Sequence, residues 1–212
     1  GKLLVAGDEE GKVRLFDVNT KTPLRIFTGH NAPVHRTFFT DLHQIASFSD
    51  DKTVKLWDVA TEKITATFRD HTDYVRAGSI NPVSSNTILS GGYDQVVKMY
   101  DSRTERCVMS LNHGAPVESL IFLPSGGIFV SAGGTDIKFW DAIGGGRLLG
   151  KISQHTKTVT TLCVANNGRH LISGSLDQHV KFFNTRNYQM VHNLDYTSPV
   201  LSVGVAKDGG TL

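Results

Sequence analysis

Ser49 to Asp58, SDDKTVKLWD, places three carboxylates and one of the chain's two tryptophans within ten residues. Neighbouring carboxylates can hold a divalent cation or divide general acid and base roles between them. HNAPVH, residues 30–35, sets His30 and His35 five apart, a spacing that invites a metal reading. His71 and Asp73 stand two apart in HTDY, and GGGR at 144–147 has the glycine content of a phosphate loop. Each also has a plain reading. GGGR lacks the GxxxxGK[ST] spacing and precedes a strand pattern where a phosphate loop would open a helix. Cys107 and Cys163 lack CxxC spacing and a flanking histidine pair, so they read as free thiols in apolar stretches of a protein from a reducing compartment. No third group recurs near His71 and Asp73. The residues thus offer no catalytic and no metal site, and the expectation is a protein without cofactor, metal or small-molecule substrate.

The acidic cluster has relatives. GDEEGKVRLFD, GGYDQVVKMYD, AGGTDIKFWD and GSLDQHVKFFN end at Asp17, Asp101, Asp141 and Asn184. With Trp57-Asp58, the aromatic–Asp/Asn pairs are spaced by 41, 43, 40 and 43 residues. Histidine keeps the same beat at 30, 71, 113 and 155, and valine follows four residues after each, at 34, 75, 117 and 159, continued by Val200. Three markers at one period make internal repetition the governing feature. Each unit carries four short β-branched and aromatic runs. In the second unit they are 33–39, 43–48, 53–57 and 63–68; in the third, 74–80, 86–91, 95–100 and 106–111. Four antiparallel strands cannot bury both of their faces alone, so such units must stack on one another. The fold class expected is all-β, a β-propeller.

The charges nearly cancel, 22 basic against 20 acidic, which argues against a polycationic nucleic-acid-binding domain. No apolar run approaches the roughly 20 residues that a membrane helix needs, and the chain reads as soluble and intracellular, without membrane contact.

The GH…D…WD pattern resembles the WD40 repeat over essentially the whole chain, with TGH at 28–30 followed by SDDKTVKLWD nearly ideal. The resemblance implies His30 in the loop entering a blade, Asp51 in the turn between its second and third strands, and Trp57 on the third strand. A serine of the second strand, Ser47 or Ser49, would join them in a buried network. By the same pattern the other networks take His71, Asp94 and Tyr100; His113 and Trp140; and His155, Asp177 and Phe183. There are departures: Gly134 stands where the fourth unit should have its turn Asp, and the first unit offers Glu10. The units run 30–70, 71–112, 113–154 and 155–195, flanked by partial units 1–29 and 196–212. The expectation is an internal slice of a roughly seven-bladed ring, preferred over a five-bladed ring whose end segments share a blade.

HTDYVRAG (71–78), APVESLIFLPSGGIFVSAGGTDIKFWD (115–141), LISGSLDQHVKFFNT (171–185) and VHNLDYTSPVLSVGVA (191–206) are similar to the propeller of the U-three small nucleolar RNA-associated protein 15 family, subunits of the small-subunit processome. That resemblance implies a non-catalytic scaffold of early ribosome biogenesis in the nucleus and nucleolus, serving pre-ribosomal RNA transcription and processing. Its partners would be other processome subunits, including other WD40 proteins. Pre-ribosomal or small nucleolar RNA would be met indirectly or through weak direct contact. An adaptor of another intracellular complex is the alternative. The repeat pattern implies a partner-binding rim of His35, Asp50, Tyr74, Arg76, Tyr93, Glu118, Thr158, Thr160 and Leu176, alongside Pro33 and Pro116. Lys151, Lys157, Arg169, Lys181 and Arg186, in the more basic half, are the candidate RNA contacts; a solvated face is their plain reading.

Overall fold

The computed structural model describes residues 2–206; residues 207–212 of the last partial unit lie outside the described residues. It contains nineteen strands in five antiparallel sheets. The first sheet has three strands, β1 (Leu3–Gly7), β2 (Lys12–Asp17) and β3 (Thr22–Thr28). The other four have four each: β4 (Val34–Phe39) to β7 (Ile64–Phe68), β8 (Val75–Ile80) to β11 (Arg106–Asn112), β12 (Val117–Phe122) to β15 (Leu148–Ile152), and β16 (Val159–Ala165) to β19 (Met190–Asp195). Within each sheet, consecutive strands are neighbours. The strands expected from the repeats are found to within a residue or two, because tight turns and period-two alternation are both local signals.

Neighbouring sheets touch through their first strands, β4 on β8, β8 on β12 and β12 on β16, with β1 against β4. The fourth strands lie at the opposite edge, where Leu24, Ile26, Ile64, Val108, Leu148 and Val191 are exposed. This is the blade arrangement of a propeller. Its apolar core is divided into four clusters, one at each interface between adjacent sheets. Strand pleating feeds two of them from every inner sheet. On β6 (Val54–Asp58), Val54 and Leu56 face the third sheet, and Trp57 points the other way, against Phe27 of the first. The periodic valines Val34, Val75, Val117 and Val159 are all buried at these interfaces. Val117 reaches its place because residue 91 is glycine: a Cβ there would stand 2.5 Å from Val117 Cγ1.

Among the described residues β1 pairs only with β2, and no ladder joins it to residues 197–206. That segment instead lies along the fifth sheet: Val200 N–H donates to the Ser175 carbonyl (3.1 Å), and the Val200 carbonyl accepts from Thr160 Oγ1 (2.7 Å). No helix of the described residues is long and apolar enough to cross a membrane.

Candidate functional site

The second sheet joins its marker residues in one relay. The Trp57 indole N–H donates to Ser47 Oγ (2.7 Å), the Ser47 hydroxyl donates to His30 Nε2 (2.7 Å), and His30 Nδ1–H donates to Asp51 Oδ2 (2.7 Å). Ser47 is the connecting serine; Ser49 instead donates to the Ala32 carbonyl (3.0 Å) and accepts from Asp51 N–H. The third and fifth sheets repeat the arrangement. His71 lies between Ser90 (2.6 Å) and Asp94 (2.8 Å), and His155 between Ser173 (2.7 Å) and Asp177 (2.8 Å). Each carboxylate also accepts a loop amide, from Asn31, Thr72 or Thr156, and a turn amide, from Thr53, Val96 or His179. Burial alone would raise the Asp51 and Asp177 carboxyls. The hydrogen bonds from His30 and Thr53 overcome it and hold Asp51 well below the carboxylate range, and those from Thr156 and His155 bring Asp177 to about 2. Burial holds His71 and His155 below the ordinary histidine value.

Serine, histidine and aspartate at these distances have the layout of a nucleophilic triad. What they can do is decided by access. Ser47, Ser90 and Ser173 are fully buried, so no substrate carbonyl can approach a serine oxygen. The relay instead ties the loop entering a blade to the hairpin between its second and third strands, and it leaves the buried polar groups satisfied.

Expectations are corrected at Tyr100, Phe183 and Glu10. Tyr100 fills the aromatic slot of the third sheet, stacked 4.3 Å from Phe68, but its buried hydroxyl makes no hydrogen bond of good geometry; Ser90 beside it is already engaged by His71. Tyr100 is therefore a packing residue, as is Phe183, which has no donor and is fully buried. In the fourth sheet, as expected, His113 and Trp140 remain without the full network, and the turn residue is Gly134. It takes φ +54° as the first residue of a two-residue hairpin joining Gly133 to Asp136, a tighter turn that needs glycine there. With no turn carboxylate, the His113 ring takes the reverse orientation: Nδ1 meets Ser131 Oγ (2.8 Å), which also accepts from Trp140 Nε1 (2.7 Å), and Nε2–H donates to the Gly133 carbonyl (3.2 Å). Lys138 Nζ then caps the His113 carbonyl (2.6 Å). Burial, reinforced by Lys138, lowers His113 to about 4. In the first sheet the capping carboxylate is Asp8, which accepts from Glu10 N–H, Lys12 N–H and Arg14 Nε; the Glu10 side chain is exposed and meets only Lys12. Thr53 was not singled out by its sequence, yet its hydroxyl donates to Asp51 at 2.6 Å. A hydroxyl two residues after a turn Asp was the available signal.

The rim residues come together in part. Asp50 N–H donates to the Pro33 carbonyl, Tyr93 N–H to that of Tyr74 and Leu176 N–H to that of Thr158, so equivalent loop pairs share one edge in the second, third and fifth sheets. Between sheets two to four, side chains form a chain. Arg76 Nε and Nη2 clasp Asp50 (3.1 and 2.9 Å), its Nη1 donates to Tyr93 Oη (3.2 Å), and Tyr93 O–H donates to Glu118 Oε1 (2.7 Å). The guanidinium lies 4.7 Å from the Tyr93 ring centroid and 5.4 Å from that of Tyr74. His35 Nε2 approaches Asp50 at 2.9 Å without making a hydrogen bond of good geometry. Asp50 is drawn down by Arg76 and His35 against its burial, and the hydrogen bond to Asp50 raises Arg76. Burial, then Glu118, raises Tyr93. Thr158, Thr160 and Leu176 stand apart on the fifth sheet. The Thr160 hydroxyl is turned inward to the Gly174 and Val200 carbonyls, which removes it from the rim.

The pattern of the WD domain, G-beta repeat family matches residues 21–58, 62–101, 105–141 and 146–184. The chain belongs to the WD-repeat family. Among curated relatives it is similar to U3 small nucleolar RNA-associated protein 15 homolog of Xenopus laevis, 47% identical over 98% of this chain and 41% of that protein. The homolog of Homo sapiens is 47% identical over 100% and 41%. U3 small nucleolar RNA-associated protein 15 of Schizosaccharomyces pombe is 39% identical over 100% and 43%. The chain thus spans about two fifths of the length of the curated relatives it matches. The matched family is one of repeats and is not a catalytic one.

The basic candidates of this WD-repeat chain do not form one patch. Lys157 and Arg169 lie beyond opposite ends of β16. Lys151 pairs with Asp136 (2.9 Å), and Lys181 Nζ donates to the Gln154 carbonyl. Only Arg169 and Arg186 are brought together, with His170 and Asn184. His30 and His35 turn to different carboxylates, Asp51 and Asp50, and no group of three metal-ligating residues is found among the described residues. Cys107 and Cys163 lie on different sheets; burial raises both thiols, Cys163 to about 11.

Proposed function

We propose that this chain is a non-catalytic scaffold for protein–protein interaction in small-subunit ribosome biogenesis, acting in the nucleolus on the assembly that transcribes and processes pre-ribosomal RNA. The observation that carries the reading is the rim cluster. Tyr74 is 42% exposed, and Arg76 and Tyr93 beside it are held by carboxylates of the two flanking blades. Tyrosine and arginine are the residue types that dominate interface hot spots, and a pre-ordered pair loses little entropy on binding. The names of the relatives place those proteins with U3 small nucleolar RNA, which supports the setting. Other processome subunits, including other WD-repeat proteins, are the partners proposed. Units 30–70, 71–112, 113–154 and 155–195 are its repeats, flanked by partial units 1–29 and 196–212 within a ring of about seven blades.

The test is affinity purification of the tagged full-length protein from cells at moderate and high salt, with Tyr74→Ala beside the wild type. Pre-ribosomal RNA and other propeller subunits should be recovered, and the proteins should persist at high salt. Tyr74→Ala should thin the protein set without lowering the amount of bait. Recovery of an unrelated complex would refute the setting, and an unchanged protein set with Tyr74→Ala would refute the rim.

A further inference from the structure

The fifth sheet carries a second surface that the scaffold reading does not use. β17 (His170–Ser175) and β18 (His179–Asn184) are paired so that His170 lies opposite Asn184 at the end of the ladder. Just beyond, Thr185 binds the neighbouring turn twice, its N–H donating to the Arg169 carbonyl (3.1 Å) and its hydroxyl to the Gly168 carbonyl (2.7 Å). That lock fixes the separation of Arg169 and Arg186, which with His170 and Asn184 line an open cavity of about 290 Å³.

The polar groups facing this cavity are donors. The ion pairs nearby, Lys151–Asp136 and His179–Asp195, take neither arginine. The Asn166 amide donates to His170 Nδ1 (2.7 Å), which leaves the proton of the neutral ring on Nε2. Asn184 Oδ1 accepts from Arg186 N–H (2.9 Å), which leaves its Nδ2 to donate. No carboxylate lines the cavity. Two guanidinium forks, an imidazole N–H and an amide N–H around one small space match the oxygens of a tetrahedral oxyanion.

The charge around the cavity indicates what bears that anion. From Ala142 to Asp195 there are six basic residues and two acids: Asp177, buried in its relay at the opposite end of β17, and Asp195, which meets His179; Arg147 and Lys151 face Asp141 and Asp136. The whole chain carries only +2, so its positive charge is concentrated on this sheet and the strand next to it. That local excess, with both cavity arginines free of a carboxylate among the described residues, favours a polyanion over a single modified side chain. We propose that the Arg169–Arg186 cavity binds a backbone phosphate of single-stranded RNA. No phenyl or indole ring lines it, so the contact holds the strand in place and does not read its sequence.

The test is binding of a labelled mixed-sequence single-stranded RNA to the full-length protein across a salt series. Removing the one phosphate contact should make the log–log salt slope shallower by about 0.7, which is roughly 5-fold in affinity at 0.1 M salt. Arg169→Ala/Arg186→Ala should show this change, and Lys157→Ala, beyond the other end of the sheet, should not. If the double variant melts early, Arg186→Gln alone should still make the slope shallower, by less than about 0.7. An unchanged slope and affinity in these arginine variants would overturn the proposal. So would an equal loss with Lys157→Ala, or loss of phosphopeptide binding while RNA binding stays intact. None of these outcomes depends on which protein partners are recovered.

Discussion

Asp51→Ala should be among the most damaging single substitutions at the surface of this protein. The carboxylate accepts four hydrogen bonds, from His30 Nδ1, Asn31 N, Thr53 N and Thr53 Oγ1. Its side chain is 11% exposed, and that of His30 is 0% exposed. Alanine would leave the imidazole N–H and a turn amide without partners where water cannot replace the carboxylate. Each buried donor left without a partner costs about 1–3 kcal/mol, and two are left here. The hairpin of the fourth sheet supplies the control. Asp136 is 27% exposed and meets only Lys151 and the Ser153 hydroxyl, so Asp136→Ala should cost no more than about 1 kcal/mol. Urea unfolding of the full-length protein gives the totals, and amide hydrogen exchange locates the loss. Because blades are stabilised by nearest neighbours, exchange should quicken first in β5 (Gln44–Ser49) and β6 and far less in the fifth sheet. If the two variants agree to within about 0.5 kcal/mol, the relay contributes nothing beyond a solvated turn and the reasoning fails.

Acid should weaken the fold before the Asp51 and Asp177 carboxylates titrate. The folded protein keeps His113 neutral down to about pH 4, and an unfolded chain protonates it near 6.5, so the unfolded state binds more protons in that window and stability falls as the pH falls through it. The loss from this residue is on the order of 3 kcal/mol by pH 4, and His71 and His155 act in the same direction. The contributions of Asp51 and Asp177 hold above 3.8 and go only as the pH drops further, through their lowered values. Urea midpoints that stay flat between pH 7 and 4.5 would contradict this. Arg76→Ala strands the Asp50 carboxylate, 10% exposed, and opens the clasp between the second and third blades. A loss of about 1–3 kcal/mol is expected, with Arg76→Lys restoring the charge but not the two-pronged contact. Equal stability of Arg76→Ala and wild type would show the clasp to be idle.

Much of the architecture was legible because its signals are local. Each sheet is a run of short strands joined by tight turns, and each relay lies within one unit, so His, Asp and the aromatic recur at a fixed spacing. The shorter fourth unit with Gly134 marked a relay without its carboxylate, as found, but the reversed His113 ring that follows has no mark in the spacing. The signal misled where one residue type had two possible duties. Glu10 occupied the expected position, yet Asp8 does the capping, because the residue opening a turn can reach the same amides. Tyr100 stood where an indole stands, but its hydroxyl leaves the end of the ring in a different place from an indole N–H and reaches no free acceptor.

The repeat period, the strands and the residues of three complete His–Asp relays were set by sequence alone, since each depends on neighbours along the chain. How the units meet was decided only in three dimensions. The clasp from Asp50 through Arg76 and Tyr93 to Glu118 crosses three sheets, and its geometry follows from how twisted blades stack. The cavity of Arg169 and Arg186 depends on the register of one hairpin and on Thr185 locking two turns. The same stacking separated Lys157 from those arginines by the length of a strand, a distance that spacing along the chain does not encode.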